Sequence, residues 1–202
     1  MTGRAEAQIL PRGKWGADSI AFSPDGRLVA WGSGDGFARL WDIPASRQAA
    51  EYGVGPGPVA AIDFSPDGKL LASVSWDRTA RLWDAASGQL PRTLYGHDHI
   101  VHDVAFFPDG SLVATASWDH TIIIWEVATG RILTRLSGPT AEVYGVAFSP
   151  DGTLLASASV DGTVRIWTCP NLPVKIIPFV IDNLRSVNHC DLSRWRDIGK
   201  LF

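Results

Sequence analysis

The sequence predicts an all-β protein assembled from four copies of one four-stranded antiparallel unit. Three observations carry this. Trp41, Trp83, Trp125 and Trp167 stand 42 residues apart, as do Phe22, Phe64, Phe106 and Phe148, and again Asp35, Asp77, Asp119 and Asp161. A Pro-Asp-Gly turn recurs at 24–26, 66–68, 108–110 and 150–152 with the same step. Between the turns lie short apolar runs of strand length, and no insertion breaks the period.

The second period shows the unit in order. VAAIDF (59–64) is an apolar first strand that ends at SPDG, where proline and glycine suit a tight turn whose last residue takes positive φ. KLLASVS (69–75) is the second strand. The Trp-Asp-Arg at 76–78 is long enough only for a hairpin turn, and TARLWD (79–84) is the third strand. AASGQ (85–89) carries a turn signal, and LPRTLY (90–95) is the fourth strand. Pro91 assigns that strand to an edge, because proline cannot donate to a ladder. Four strands in a period of about 40–45 residues are the signature of a β-propeller blade.

The chain resembles the WD-repeat β-propellers, in particular the regular bacterial kind. The resemblance rests on FSPDG at 22–26, 64–68 and 148–152, FFPDG at 106–110, the Asp-x-Thr-x-x-x-Trp runs at 77–83, 119–125 and 161–167, and Trp-Asp at 41–42 and 83–84. It spans roughly 8–180. Four repeats are expected at about 13–54, 55–96, 97–138 and 139–180, preceded by an N-terminal segment 1–12 and followed by a non-repeat tail 181–202.

The resemblance implies that each blade is held by a buried tetrad of His, Ser or Thr, Asp and Trp. The third repeat supplies all four, as His97, Thr115, Asp119 and Trp125. The indole N–H can donate to the hydroxyl, the hydroxyl to the imidazole and the imidazole to the carboxylate, so each buried polar group finds a partner. The second repeat has Ser73, Asp77 and Trp83 but Gly55 in place of His; the fourth has Ser157, Asp161 and Trp167 but Pro139. In the first, Gly13, Trp31 and Phe37 replace the His, the hydroxyl residue and the turn Thr. Blade one is therefore expected to be the loosest, or to pack differently. His97, Thr115 and Asp119 superficially suggest a hydrolase triad. The hydroxyl and carboxylate recur in blades without His, which fits a structural network. No column supplies an acid–base pair for a propeller hydrolase, and no catalytic residue is expected.

Two columns vary within the chain and so are not dictated by the blade. The hairpin-turn position reads Gly34, Trp76, Trp118, Val160, and the start of the first strand reads Asp18, Ala60, His102, Tyr144. The resemblance implies that both face the top of the propeller, where partners bind. Trp76, Trp118, His102 and Tyr144 are thus the candidate partner-binding residues, aromatics being favoured anchors.

Composition bounds the rest. Of the 202 residues 46% are hydrophobic and 19% charged, which fits a folded domain, and the net charge of −3 disfavours a partner held through phosphates. Gly32, Gly34 and Gly36 precede a strand rather than a helix, so they do not make a dinucleotide loop. Cys169 and Cys190 have no metal-ligand spacing, so neither a metal nor any other cofactor is expected, and a reducing, cytoplasmic compartment fits. No run of 18 apolar residues predicts a membrane span.

Four blades is fewer than the seven implied by the resemblance. A partial ring, or one completed by another chain, is expected, with self-association through open blade edges. EAQIL (6–10) is a candidate clasp strand, competing with VKIIPFVI (174–181) for one slot. DLSRWRDIGKLF (191–202) has helical spacing, with Asp191 as N-cap. The functional expectation is a non-catalytic scaffold binding protein or peptide partners on its top face; the alternative is a regulatory or sensor segment of a larger bacterial signalling protein.

Overall fold

The computed structural model describes residues 15–90, 92–168 and the backbone of 179–181. Sixteen strands form four antiparallel sheets. The first holds β1 (Ala17–Phe22), β2 (Leu28–Ser33), β3 (Phe37–Asp42) and β4 (Arg47–Gly53). The second holds β5 (Val59–Phe64), β6 (Leu70–Ser75), β7 (Ala80–Asp84) and β8 (Arg92–Leu94). The third holds β9 (Val101–Phe106), β10 (Leu112–Ser117), β11 (Thr121–Glu126) and β12 (Ile132–Ser137). The fourth holds β13 (Val143–Phe148), β14 (Leu154–Ser159), β15 (Val164–Thr168) and β16 (Phe179–Ile181). Each sheet is a simple up-and-down meander, with strands neighbouring in space in their chain order.

The turns explain why. At Ser23-Pro-Asp-Gly the Ser23 hydroxyl bonds Asp25 at 2.6 Å and accepts from the Leu28 N–H at 2.9 Å, while Gly26 takes φ 70°, open to glycine at little cost. Ser65 and Ser149 repeat this lock. In the third blade Phe107 replaces the serine, and its ring instead meets Phe148 of the next blade edge-on at 5.2 Å.

The core lies between blades. Each blade has a trailing face, such as Ala72, Ala80, Leu82 and Leu94, that seats the leading face of the next, here Val101, Val104, Phe106, Val113 and Trp125. The same columns meet between blades one and two and between three and four. One interface is therefore built three times. Inner strands follow in a row, β1 against β5, β5 against β9 and β9 against β13. Among the described residues no comparable packing joins β13 to β1, so the four blades form an open row rather than a closed ring.

EAQIL, Gly13, Pro91, the two cysteines and the 182–202 tail with its expected helix lie outside the described residues. Of VKIIPFVI, Phe179–Ile181 pairs with β15 as the outermost strand of blade four.

Candidate partner-binding face and blade clasps

The first strand of every blade carries the same irregularity. Its register against the second strand skips one residue: between Ala17 and Ser19, Val59 and Ala61, Val101 and Asp103, and Val143 and Gly145. The skipped residues are Asp18, Ala60, His102 and Tyr144. A β-bulge leaves its extra residue out of the ladder and re-aims the side chain. This is the physical reason that the column is free to vary.

His102 and Tyr144, so released, meet the hairpin turn of blade three. Trp118 is the hub. His102 stacks on it at 6.0 Å, Tyr144 at 5.5 Å and His99 at 5.8 Å, and Trp76 approaches from blade two at 5.9 Å. His102 and Tyr144 are themselves 4.3 Å apart. The His102 Nδ1–H donates to the Tyr144 carbonyl at 3.0 Å, which leaves Nε2 as the unprotonated nitrogen. Burial pushes the His102 pKa down, with that hydrogen bond a smaller opposing influence. The turns are tied to the chain before the first strand: the Trp118 N–H donates to Ile100 O and the Trp76 N–H to Pro58 O.

The four residues expected to contact a partner are thus adjacent, and the two tryptophans differ in exposure. Trp76 is 47% exposed, whereas Trp118 is half-buried, its indole N–H enclosed without a hydrogen-bond partner among the described residues. The cause lies in the neighbouring columns. His99 and His102 cover Trp118, while the matching positions in blade two are Gly57 and Ala60, too small to cover Trp76. His99 was not anticipated. Its column reads Trp15, Gly57, His99, Ala141, and that variability was the available signal.

Below this face each blade is clasped by its turn aspartate. In blade three the Trp125 Nε1–H donates to Thr115 Oγ1 at 2.8 Å, His97 Nε2 lies 2.8 Å from the same hydroxyl, and His97 Nδ1 lies 2.7 Å from Asp119 Oδ2. Asp119 also accepts from Thr121 Oγ1 and from the Asp98 N–H. Burial pushes this carboxyl up, but the hydrogen bonds from His97 and Thr121 outweigh it and hold the pKa well below the carboxylate range.

The other blades replace the histidine from an unexpected direction. Arg81, on the third strand, donates to Asp77 at 2.7 Å; Arg165 donates to Asp161 at 2.9 Å and also to the Thr163 hydroxyl; Arg39 grips Asp35 through two hydrogen bonds and reaches Glu51 at 2.7 Å. In blade two the histidine site is closed, because a Cβ on Gly55 would lie 2.7 Å from Asp77 Oδ2. The column of Arg39, Arg81, Ile123 and Arg165 is apolar only where His97 is present. Blades two and four keep the indole bond to a hydroxyl, Trp83 to Ser73 at 2.8 Å and Trp167 to Ser157 at 2.9 Å. Blade one lacks it: Trp31 stands at the hydroxyl position, and Trp41 Nε1 is enclosed without an acceptor among the described residues. Blade one packs differently, yet its carboxylate clasp is intact.

Both His97 nitrogens are engaged within the blade and the side chain is buried. Among the described residues no group of three His, Cys, Asp or Glu side chains is placed to hold a metal ion.

The chain matches the family described as WD domain, G-beta repeat (WD40) over residues 14–42, 51–84, 88–126 and 130–168. The last three matched segments run from the outer strand of one blade to the third strand of the next, so each straddles the interface described above. No curated protein matches the chain. With the repeated sheets, the shared turn chemistry and these four matched segments, the chain belongs to the WD40 repeat family.

Proposed function

We propose that this WD40 repeat domain is a non-catalytic scaffold that captures a protein or peptide partner on the face built by Trp76, Trp118, His102 and Tyr144. WD40 repeat domains are typically protein-interaction scaffolds. The observation that carries the reading is the bulge in blades three and four, which turns His102 and Tyr144 out of their ladders and onto Trp118, next to the exposed Trp76 ring. A rigid aromatic platform with one uncovered indole provides contact area at small entropic cost. Trp76 is the anchor; Trp118 and its covering rings hold the platform. The non-catalytic reading is supported by His97, whose nitrogens are committed to Thr115 and Asp119 away from solvent.

The test is affinity capture followed by purified binding of whichever partner is retained. Trp76→Ala is expected to weaken that binding at least roughly tenfold, as central aromatic anchors do, with the thermal melt unchanged. Unaltered affinity would reject the anchor. A lost fold in Trp118→Ala but not in Trp76→Ala would fit their different burial.

A further inference from the structure

Trp76 and Trp118 hold the same turn position on neighbouring blades, and the covering of one shows what the other lacks. Three rings stack on Trp118, with angles between planes of 25° for His99, 16° for His102 and 30° for Tyr144. Among the described residues Trp76 meets one ring, that of Trp118, and meets it tilted at 46° rather than stacked. Its indole is 47% exposed.

Two columns leave that space. Gly57 stands where blade three has His99, and Ala60 where it has His102. Ala60 occupies the bulge, and the same frame seats an imidazole at this column in blade three and a phenol in blade four. At Gly57 the gap is enforced by the turn itself. A Cβ there would lie 3.1 Å from the Asp77 backbone N and 3.2 Å from Trp76 Cβ, so a side chain at 57 would crowd the backbone.

We infer that the partner seats a planar aromatic side chain on the exposed face of Trp76, in the place that His99 and His102 take over Trp118. The inference rests on the aromatic face being the partner-binding surface, and it names the group recognised there. A ring stacked on the indole removes apolar area from water and gains offset π contact. An indole face also attracts cations. The carboxylate next to Trp76 does not favour one, because Asp77 is already engaged by Arg81 at 2.7 Å and by the Thr79 hydroxyl at 2.7 Å.

Panning a phage library of short random peptides against the full chain tests this. Ala60→His gives blade two the ring that blade three carries at 102, and so fills the site from within; Ala60→Tyr, with the blade-four residue, is a second filler should the first not fold. Peptides enriched on the wild type are expected to share one Phe, Tyr, Trp or His. Binding of a synthetic copy should fall at least roughly tenfold on the filled variant and on Trp76→Ala, and as much when its shared aromatic residue is changed to Leu. A shared Arg or Lys instead of an aromatic, an affinity untouched by the filler, or no enrichment over an unrelated bait would each overturn the inference. In the first two cases, loss of binding in Trp76→Ala would show that the face still binds and only the ligand chemistry is wrong; peptides indifferent to Trp76→Ala would reject the face itself. A measurement without any peptide checks the register. In protein labelled with 5-fluorotryptophan, the filler should reduce the solvent isotope shift of the Trp76 fluorine resonance, and an unchanged shift would also overturn the inference.

Discussion

Blade three and blade two hold the same turn aspartate by different means. In blade three the grip comes from above the sheet, through a histidine that precedes the first strand and also bonds the Thr115 hydroxyl. In blade two it comes from within the sheet, through Arg81 on the third strand, four residues from its aspartate. The histidine completes a network that ends on the buried Trp125. The arginine leaves the Trp83–Ser73 pair as a separate unit. What is shared is the need to neutralise one carboxylate that also organises a hairpin turn, since Asp77 and Asp119 each accept from the backbone and hydroxyl of the threonine two residues on.

Breaking each grip separates them. Arg81→Ala should have the larger effect, about 3 kcal/mol, because it strips the charged partner from a largely buried carboxylate. His97→Ala should cost about 1–3 kcal/mol, because Asp119 keeps Thr121, the Asp98 N–H and, at 3.4 Å, Arg135. Denaturant midpoints measure both. The double variant His97→Gly, Ile123→Arg converts blade three to the arginine form and should recover most of what His97→Gly loses; no recovery would mean that the two clasps are not exchangeable.

Acid attacks both forms. Asp77, Asp119 and Asp161 all have lowered pKa values: burial opposes ionisation in each, and hydrogen bonds, led by Arg81, His97 and Thr163 respectively, override it. A carboxyl whose folded pKa is depressed contributes stability that is complete above its unfolded value of about 3.9 and declines as the pH falls below it. Melting temperature should therefore drop steeply below about pH 4, and less steeply in Asp119→Asn. His102 acts at higher pH in the same direction. Its lowered pKa makes the folded state resist protonation, so the stability of the aromatic face should begin to fall as the pH drops through about 6.5.

The smallest effect concerns the indoles. Among the described residues Trp41 has no acceptor, whereas Trp125 donates to Thr115. Trp125→Phe should therefore cost about 1 kcal/mol more than Trp41→Phe, a difference that paired melts can resolve.

The strands and their order were legible because apolar runs alternate with turns that need a proline and a left-handed glycine, as Gly26, Gly68, Gly110 and Gly152 show. The clasp of blade three was legible through the family resemblance, which implies a tetrad that His97, Thr115, Asp119 and Trp125 supply in full. The arginine clasps were visible in principle, as a column that turns apolar only beside His97, but an arginine on a strand also reads as ordinary surface. The bulge was not readable, because the skipped residue depends on hydrogen-bond register rather than residue type. The unequal burial of Trp76 and Trp118 depended on it in turn, since His102 covers Trp118 only once it leaves the ladder.

That recurring bulge separates two kinds of constraint. Asp18, Ala60, His102 and Tyr144 stand outside the strand pairing on either side of them, so each can be rewritten without disturbing a ladder hydrogen bond. The molecule therefore presents four addressable sites on a fixed frame, one per blade, and a library confined to them would explore recognition while leaving the blade clasps untouched.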